Sequence, residues 1–377
     1  MKDKELPSLY PLRFKEVLRN YSFGDRWIVR EFAKSGLPDG HRVGETWEVV
    51  DRPKDVSEII NGSLAGKTLH QAIAEYGADL LGRDIMARFE GRFPLLIKFL
   101  DATHTLGEQA HTNDELTKAR GIDDFSGKTE AWYMVRTRPG ATVLCGNKPG
   151  VTPETLLESL MNSDARSAMA EYPAKPHDAF LLYAGTMHYS RGGLLFYEIM
   201  QNSDVYVGLG PFGPDVTAEE KERRSRLAVE AVHLEEGFDC RPQPVTLTHG
   251  QNKQTFAIVC QHFAVERLDL SEPYVMAMDG RRFTVLTLIE GRARVVHPGS
   301  EDVVLQPGLS CLLPACLGKV RIEPDPTACI LNGYVPDLLR DVIKPLRAKG
   351  IPDDAILALG GKTMLNPLNQ LLKKQGV

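Results

Sequence analysis

The chain reads as a mainly β protein of two barrels with helical insertions. Three observations predict this. From Gln251 to Pro336 short apolar runs recur between turn residues, the texture of an all-β sandwich or barrel. Before Gln251, similar runs alternate with segments that open on helix caps. Finally, Pro176-His177-Asp178-Ala179-Phe180-Leu181-Leu182-Tyr183-Ala184 can be laid against Pro307-Gly308-Leu309-Ser310-Cys311-Leu312-Leu313-Pro314-Ala315, an internal echo expected of a duplicated barrel. Extending that register sets Lys319 opposite His188.

In chain order, Gly44 to Val50 alternates as a strand with Glu45 and Trp47 on one face. Two readings stay open there, a surface Glu beside a core Trp or a pocket pair. Thr68-Leu69-His70-Gln71 is a capping box opening a helix to about Tyr76, and Asp84 to Phe89 is a second helical piece. Phe93 to Leu100 is a buried strand whose one cation, Lys98, either snorkels to an edge or enters a polar pocket. Gly127 to Val135 is a strand with Lys128, Glu130 and Trp132 on one face. A capped helix starts at Thr152-Pro153, strands follow at Phe180 to Tyr183 and Leu194 to Ile199, and a second capping box at Thr217 to Glu220 opens a helix to about Gly237. Nine short strands are expected between Phe256 and Asn332, then helix from Pro336 into a Lys-rich tail. The expected units are 1–250, 251–336 and 337–377.

With 377 residues, 42% hydrophobic and 25% charged, the chain has the profile of a soluble globular protein of two domains, or of one with a satellite. A net charge of -5 argues against nucleic acid or an anionic membrane as partner, while leaving room for an anionic small substrate in a local basic pocket. Met1 to Glu5 has no apolar run behind it, so no signal peptide is expected, and no apolar stretch is long enough to span a bilayer. The six cysteines (Cys145, Cys240, Cys260, Cys311, Cys316, Cys329) form no C-x-x-C pair, which suits reduced thiols in a cytoplasmic enzyme. Cys311 and Cys316 read as core packing.

The chemistry centres on Gly107-Glu108-Gln109-Ala110-His111. On a strand, Gln109 and His111 face one cavity. Glu130 and His188, from other strands, would complete a nitrogen- and oxygen-rich site for a divalent transition metal, zinc first. His104, His177, His262 and His297 lack such a setting and stay outside the site.

These segments resemble the type I mannose-6-phosphate isomerases (phosphomannose isomerases), zinc enzymes of the cupin superfamily. The resemblance runs from about Pro11 to Pro336. It rests on Gly44-Glu45-Thr46-Trp47, Phe93 to Asp101, Gln109-Ala110-His111, Gly127-Lys128-Thr129-Glu130-Ala131-Trp132-Tyr133, Gly185-Thr186-Met187-His188 and Gln201-Asn202-Ser203-Asp204. It implies zinc ligands at Gln109, His111, Glu130 and His188, active-site lysines at Lys98 and Lys128, and a Glu45-x-Trp47 pocket segment. It also implies interconversion of mannose 6-phosphate and fructose 6-phosphate, with the base unassigned. The chain departs from the family in two places. The usual Gln-Val-His-Pro-Asp-Asp becomes Gln109-Ala110-His111-Thr112-Asn113-Asp114, and Val207 stands where a catalytic arginine is usual. Arg191 is carried as one candidate substitute. Two other readings remain, a cupin that binds a sugar or sugar phosphate without turnover and an isomerase of a different sugar.

Overall fold

The computed structural model describes residues 6–32, 34, 40–122 and 126–374. The signal-peptide expectation drawn from Met1 to Glu5 and the last three tail residues lie outside the described residues.

The first half lays most of its strands into two sheets, with two small two-stranded pairs beside them. One has six strands, ordered Ala179–Leu182, Glu130–Thr137, Leu194–Gln201, Leu95–Ala102, Glu45–Val49 and Val17–Arg19. The other has five, ordered Met169–Pro173, Thr142–Asn147, His188–Ser190, Leu106–Ala110 and Val207–Gly210. The chain passes from the six-stranded sheet to the five-stranded one four times, from Leu95–Ala102 to Leu106–Ala110, from Glu130–Thr137 to Thr142–Asn147, from Ala179–Leu182 to His188–Ser190 and from Leu194–Gln201 to Val207–Gly210.

Leu95–Ala102 and Leu194–Gln201 are buried along their whole length because both faces of their sheet are covered. On one face Ile97, Phe99, Tyr197 and Ile199 share a core with Val285 and Leu331 of the second half. On the other, Leu100, Trp132 and Phe196 close on Val143 and Cys145 of the five-stranded sheet. Charged side chains on that inner face stand out against an apolar background, and they mark the site.

Thr68 and Gln71 form the expected capping box of helix Leu69–Tyr76, and Thr152 caps Pro153–Met161. Thr217 caps Ala218–Ala231 by accepting from the Glu220 N–H, but the Glu220 carboxylate is drawn to Arg223 and Arg224 instead of back to the cap. This helix stops well short of Gly237. Val232 is extended, and the His233 N–H donates to the Gly185 carbonyl at 2.9 Å.

The second half is an eight-stranded sheet that begins at Val245–His249, ahead of Gln251. Two pairs of expected strands are each one long strand, Thr284–Val296 and Gly318–Tyr334, which pair with one another. Gly291, at φ +78, looks like a strand end in sequence. It is a bend within a continuous strand, where a Cβ would come 2.1 Å from the Thr327 carbonyl oxygen. In the tail, Leu338, Val342, Leu346, Ile356 and Leu368 pack on Phe256 and Val259.

The expectation of six reduced thiols is corrected at two positions. Cys145 and Cys240, 95 residues apart in sequence, are joined as a disulfide with Cα atoms 6.6 Å apart. Cys260, Cys311, Cys316 and Cys329 are free, and Cys316 is exposed where core packing was expected. Among the described residues no helix is long and apolar enough to cross a membrane.

Candidate metal centre

Leu106–Ala110 ends one residue before His111, so Gln109 and His111 leave the same face of the chain. Gln109 lies opposite His188 across the five-stranded sheet, and Glu130 opens a strand of the facing sheet. His111 Nε2 comes within 3.4 Å and His188 Nε2 within 3.1 Å of the Glu130 carboxylate. One ligand atom from each of the three residues lies within 4.8 Å of the others, and all three residues are buried.

The imidazoles are oriented from behind. His111 Nδ1 is 2.7 Å from the Val205 carbonyl and His188 Nδ1 is 2.8 Å from that of Thr186. A carbonyl only accepts, so each Nδ1 carries the proton and each Nε2 turns a lone pair inward. Burial and the nearby Lys128 charge depress His111 to a pKa of about 3, keeping it in the neutral, metal-binding form. Burial opposes ionisation of Glu130, but the Lys128 ammonium beside it outweighs this and holds the carboxyl well below its usual range. Neither Nε2 and neither Glu130 oxygen completes a hydrogen bond of acceptable geometry, although Lys128 Nζ lies 2.8 Å from Oε2. Buried acceptors without donors are costly, and a cation among them relieves that cost. Two imidazoles and a carboxylate fit a divalent transition metal.

Beside this cluster is a cavity of about 390 Å³ lined from both sheets by Glu45, Trp47, Lys98, Gln109, Lys128 and Glu198, among others. Trp132, Glu198, Lys98 and Trp47 are successive register partners across the six-stranded sheet, so all four share its inner face. Lys98 Nζ lies 3.1 Å from Glu198 Oε1 and 3.3 Å from Glu45 Oε2. Trp47 Nε1 donates to Glu45 at 2.6 Å, and Trp132 Nε1 to Glu198 at 2.9 Å. Burial alone would lower the Lys98 pKa, but Glu198, Glu45 and Glu130 together hold it above its ordinary value. Both open alternatives are thereby decided. Glu45 is 7% exposed, not a surface residue, and Lys98, 5% exposed, does not snorkel.

Glu198 was missed in sequence. Its signal was available, since it is the one charge in the apolar run Leu194 to Ile199, the same pattern that singles out Lys98. Arg191 is a correction. It is exposed and paired with Glu171 at 2.7 and 3.1 Å, and it is not among the residues lining the cavity. It follows strand His188–Ser190 and reaches across the intervening strand Thr142–Asn147 to Glu171 on Met169–Pro173. Val207 is buried against Leu209 and Ala228, facing away from the cavity, so Gly208, opposite Gln109, is the inward position on that strand. A larger cavity of about 690 Å³, between the 235–243 segment and the tail, shares no lining residue with this one.

The chain matches two family models, "Phosphomannose isomerase type I, catalytic domain" over residues 12–133 and "Mannose-6-phosphate isomerase, cupin domain" over 252–329. Together they span more than half of it. The mannose-6-phosphate isomerase ManA of Bacillus subtilis (strain 168) is 28% identical over 318 residues, covering 83% of this chain and 96% of the relative. The mannose-6-phosphate isomerase of Streptococcus mutans is 25% identical over 322 residues, covering 84% and 96%. A crystal structure of the mannose 6-phosphate isomerase from Bacillus subtilis superposes with a TM-score of 0.73 at 23% identity, over 86% of this chain and 99% of that one, a likeness of fold. With the fold, the metal-ligand cluster and both family matches in agreement, the chain belongs to the type I phosphomannose isomerase family.

Proposed function

We propose that the chain is a zinc-dependent aldose–ketose isomerase that interconverts mannose 6-phosphate and fructose 6-phosphate. The observation that carries this reading is the convergence of the His111 and His188 Nε2 atoms, neither with a hydrogen-bond partner, on the Glu130 carboxylate, beside a cavity holding Lys98 between two carboxylates. Zinc suits this donor set, with Gln109, which lines the cavity beside His188, as the fourth ligand. When bound, the metal supplies Lewis-acid polarisation of the sugar oxygens.

The chain's own residues supply the rest. Moving a proton between C1 and C2 needs a base within reach of both carbons and a cation near the developing oxyanion. Glu198 fits the base. It lines the cavity, Lys98 and Trp132 fix its orientation, and burial together with Glu130 pushes its carboxyl above the usual range. Lys128, beside Glu130 at the cavity wall, supplies positive charge for the oxyanion. Glu45 and Trp47 hold Lys98 in place.

The same reading takes the two halves, 1–250 and 251–336, as two cupin barrels followed by a helical tail, 337–377. Long strands Thr284–Val296 and Gly318–Tyr334, each paired with several others, support the second barrel. A sugar-binding cupin without turnover is the second reading, favoured by the absence of a side chain at the inward-facing Gly208.

A coupled assay of the zinc-loaded protein with mannose 6-phosphate separates the two, with His111→Ala as control. Turnover that disappears in the variant is expected. Saturable binding of mannose 6-phosphate without turnover, with one zinc per chain, would sink the isomerase.

A further inference from the structure

We propose that Arg19 holds the phosphate group of the substrate at the cavity mouth, an inference that rests on the hexose 6-phosphate reading above. The charges around the cavity and its metal cluster set the problem. Lys98 and Lys128 stand against Glu45, Glu130, Glu198 and Asp204. Both lysines are buried and already held by carboxylates. A divalent metal brings this set to neutrality and leaves no positive charge for a phosphate dianion.

The five-stranded side does not offer that charge. Val207 packs outward, and Gly208 faces the cavity without a side chain. Tyr206 lies across Gly208, where a Cβ would come 3.2 Å from its ring. Arg191 is bound to Glu171.

The six-stranded side does offer it. Arg19 ends the edge strand Val17–Arg19 as the register partner of Glu45, so the two side chains leave the same face of the sheet. Its guanidinium lies 4.2 Å from the centroid of the Trp47 ring, the indole that also has Lys98 Nζ at 5.3 Å and lines the cavity. Stacking fixes the plane of the guanidinium fork, the geometry suited to a bidentate phosphate contact. Its present carboxylate partner is Asp55, at 2.5 Å, and both side chains are about a quarter exposed (24% and 25%). Unlike the buried lysines, Arg19 therefore keeps donors within reach of solvent and of an incoming anion. Arg19 and Asp55 do not line the cavity themselves but stand next to its Trp47 wall, so an incoming phosphate would exchange with Asp55 on Arg19.

The test is calorimetric titration of the full-length, zinc-loaded protein with mannose 6-phosphate. Arg19→Met is expected to raise Kd roughly 10- to 100-fold, with Arg19→Lys falling between it and the wild type. Asp55→Asn, which removes the competing carboxylate, is expected to tighten binding. A structural role for Arg19 would not produce that tightening, because losing Asp55 would then only loosen the packing on Trp47. An unchanged Kd in Arg19→Met, or weaker binding in Asp55→Asn, overturns the proposal, as does a wild type that does not bind mannose 6-phosphate. Binding that depends on Arg19 in a protein without turnover would instead count against the isomerase and leave this role standing.

Discussion

His188 Nε2 lies 3.1 Å from Glu130 Oε1, and neither atom completes a hydrogen bond. The two residues belong to facing sheets. His188 is set by Gln109 and Cys145 on either side, and Glu130 by Leu182 and Met200. Each sheet fixes its own ligand, and only the packing of the sheets brings the lone pairs together. Two acceptors aimed at one another repel, so the fold stores an unfavourable contact that a cation reverses.

Metal removal should therefore destabilise the whole first half. Binding that favours the folded state adds roughly 4 kcal/mol when the metal is about a thousandfold above its Kd. We expect a chelator to lower Tm by several degrees and stoichiometric zinc to restore it. Glu130→Gln should abolish the response, because the neutral amide no longer opposes the imidazoles. A Tm indifferent to chelator in the wild type would contradict the assignment of these three residues.

Lys98 sits between Glu45 and Glu198, all three buried. Lys98→Met leaves two buried carboxylates with no cation between them, and breaking a buried pair costs about 3–5 kcal/mol. Adding Glu198→Gln removes one of the stranded charges, so the double variant should recover part of that loss in urea unfolding. Strictly additive losses would show that the three residues are not one electrostatic unit.

Much of the site was legible because its residues break local rules. Lys98 is a cation in an apolar strand, and Gln109 and His111 share a strand face. The capping boxes at Thr68 and Thr152 were legible because they depend on neighbours three residues apart. What sequence did not disclose is set by pairing between distant strands. Whether Val207 or Gly208 faces the cavity depends on register with Ala110 and Gln109. The disulfide of Cys145 with Cys240 depends on where the 238–241 segment crosses the sheet. Gly291 resembled a strand end because a bend and a turn call for the same residue.

Arg191 should be dispensable. Its partner Glu171 is about as exposed as Arg191 itself, and such pairs contribute within about 0.5 kcal/mol. Arg191→Ala is expected to leave the KM for mannose 6-phosphate within about twofold of the wild type. A tenfold rise would return Arg191 to the substrate site and require the hairpin that carries it to move.

Glu48 is expected to give the protein a pH-dependent stability unconnected with the cavity. It shares the strand of Glu45 and Trp47 but points to the opposite face, where Lys34 Nζ lies 2.8 Å away and Thr46 Oγ1 donates at 2.7 Å. Burial pushes its carboxyl from 4.5 up to about 7, against the pull of Lys34. The folded protein thus binds this proton more tightly than the unfolded chain does. The resulting contribution to stability is full below about pH 4.5 and is lost as pH rises through about 7. Between pH 5 and 8 the unfolding free energy of the wild type should fall by on the order of 1–3 kcal/mol more than that of Glu48→Gln. Parallel pH profiles in urea unfolding would mean that Lys34 compensates the buried charge in full.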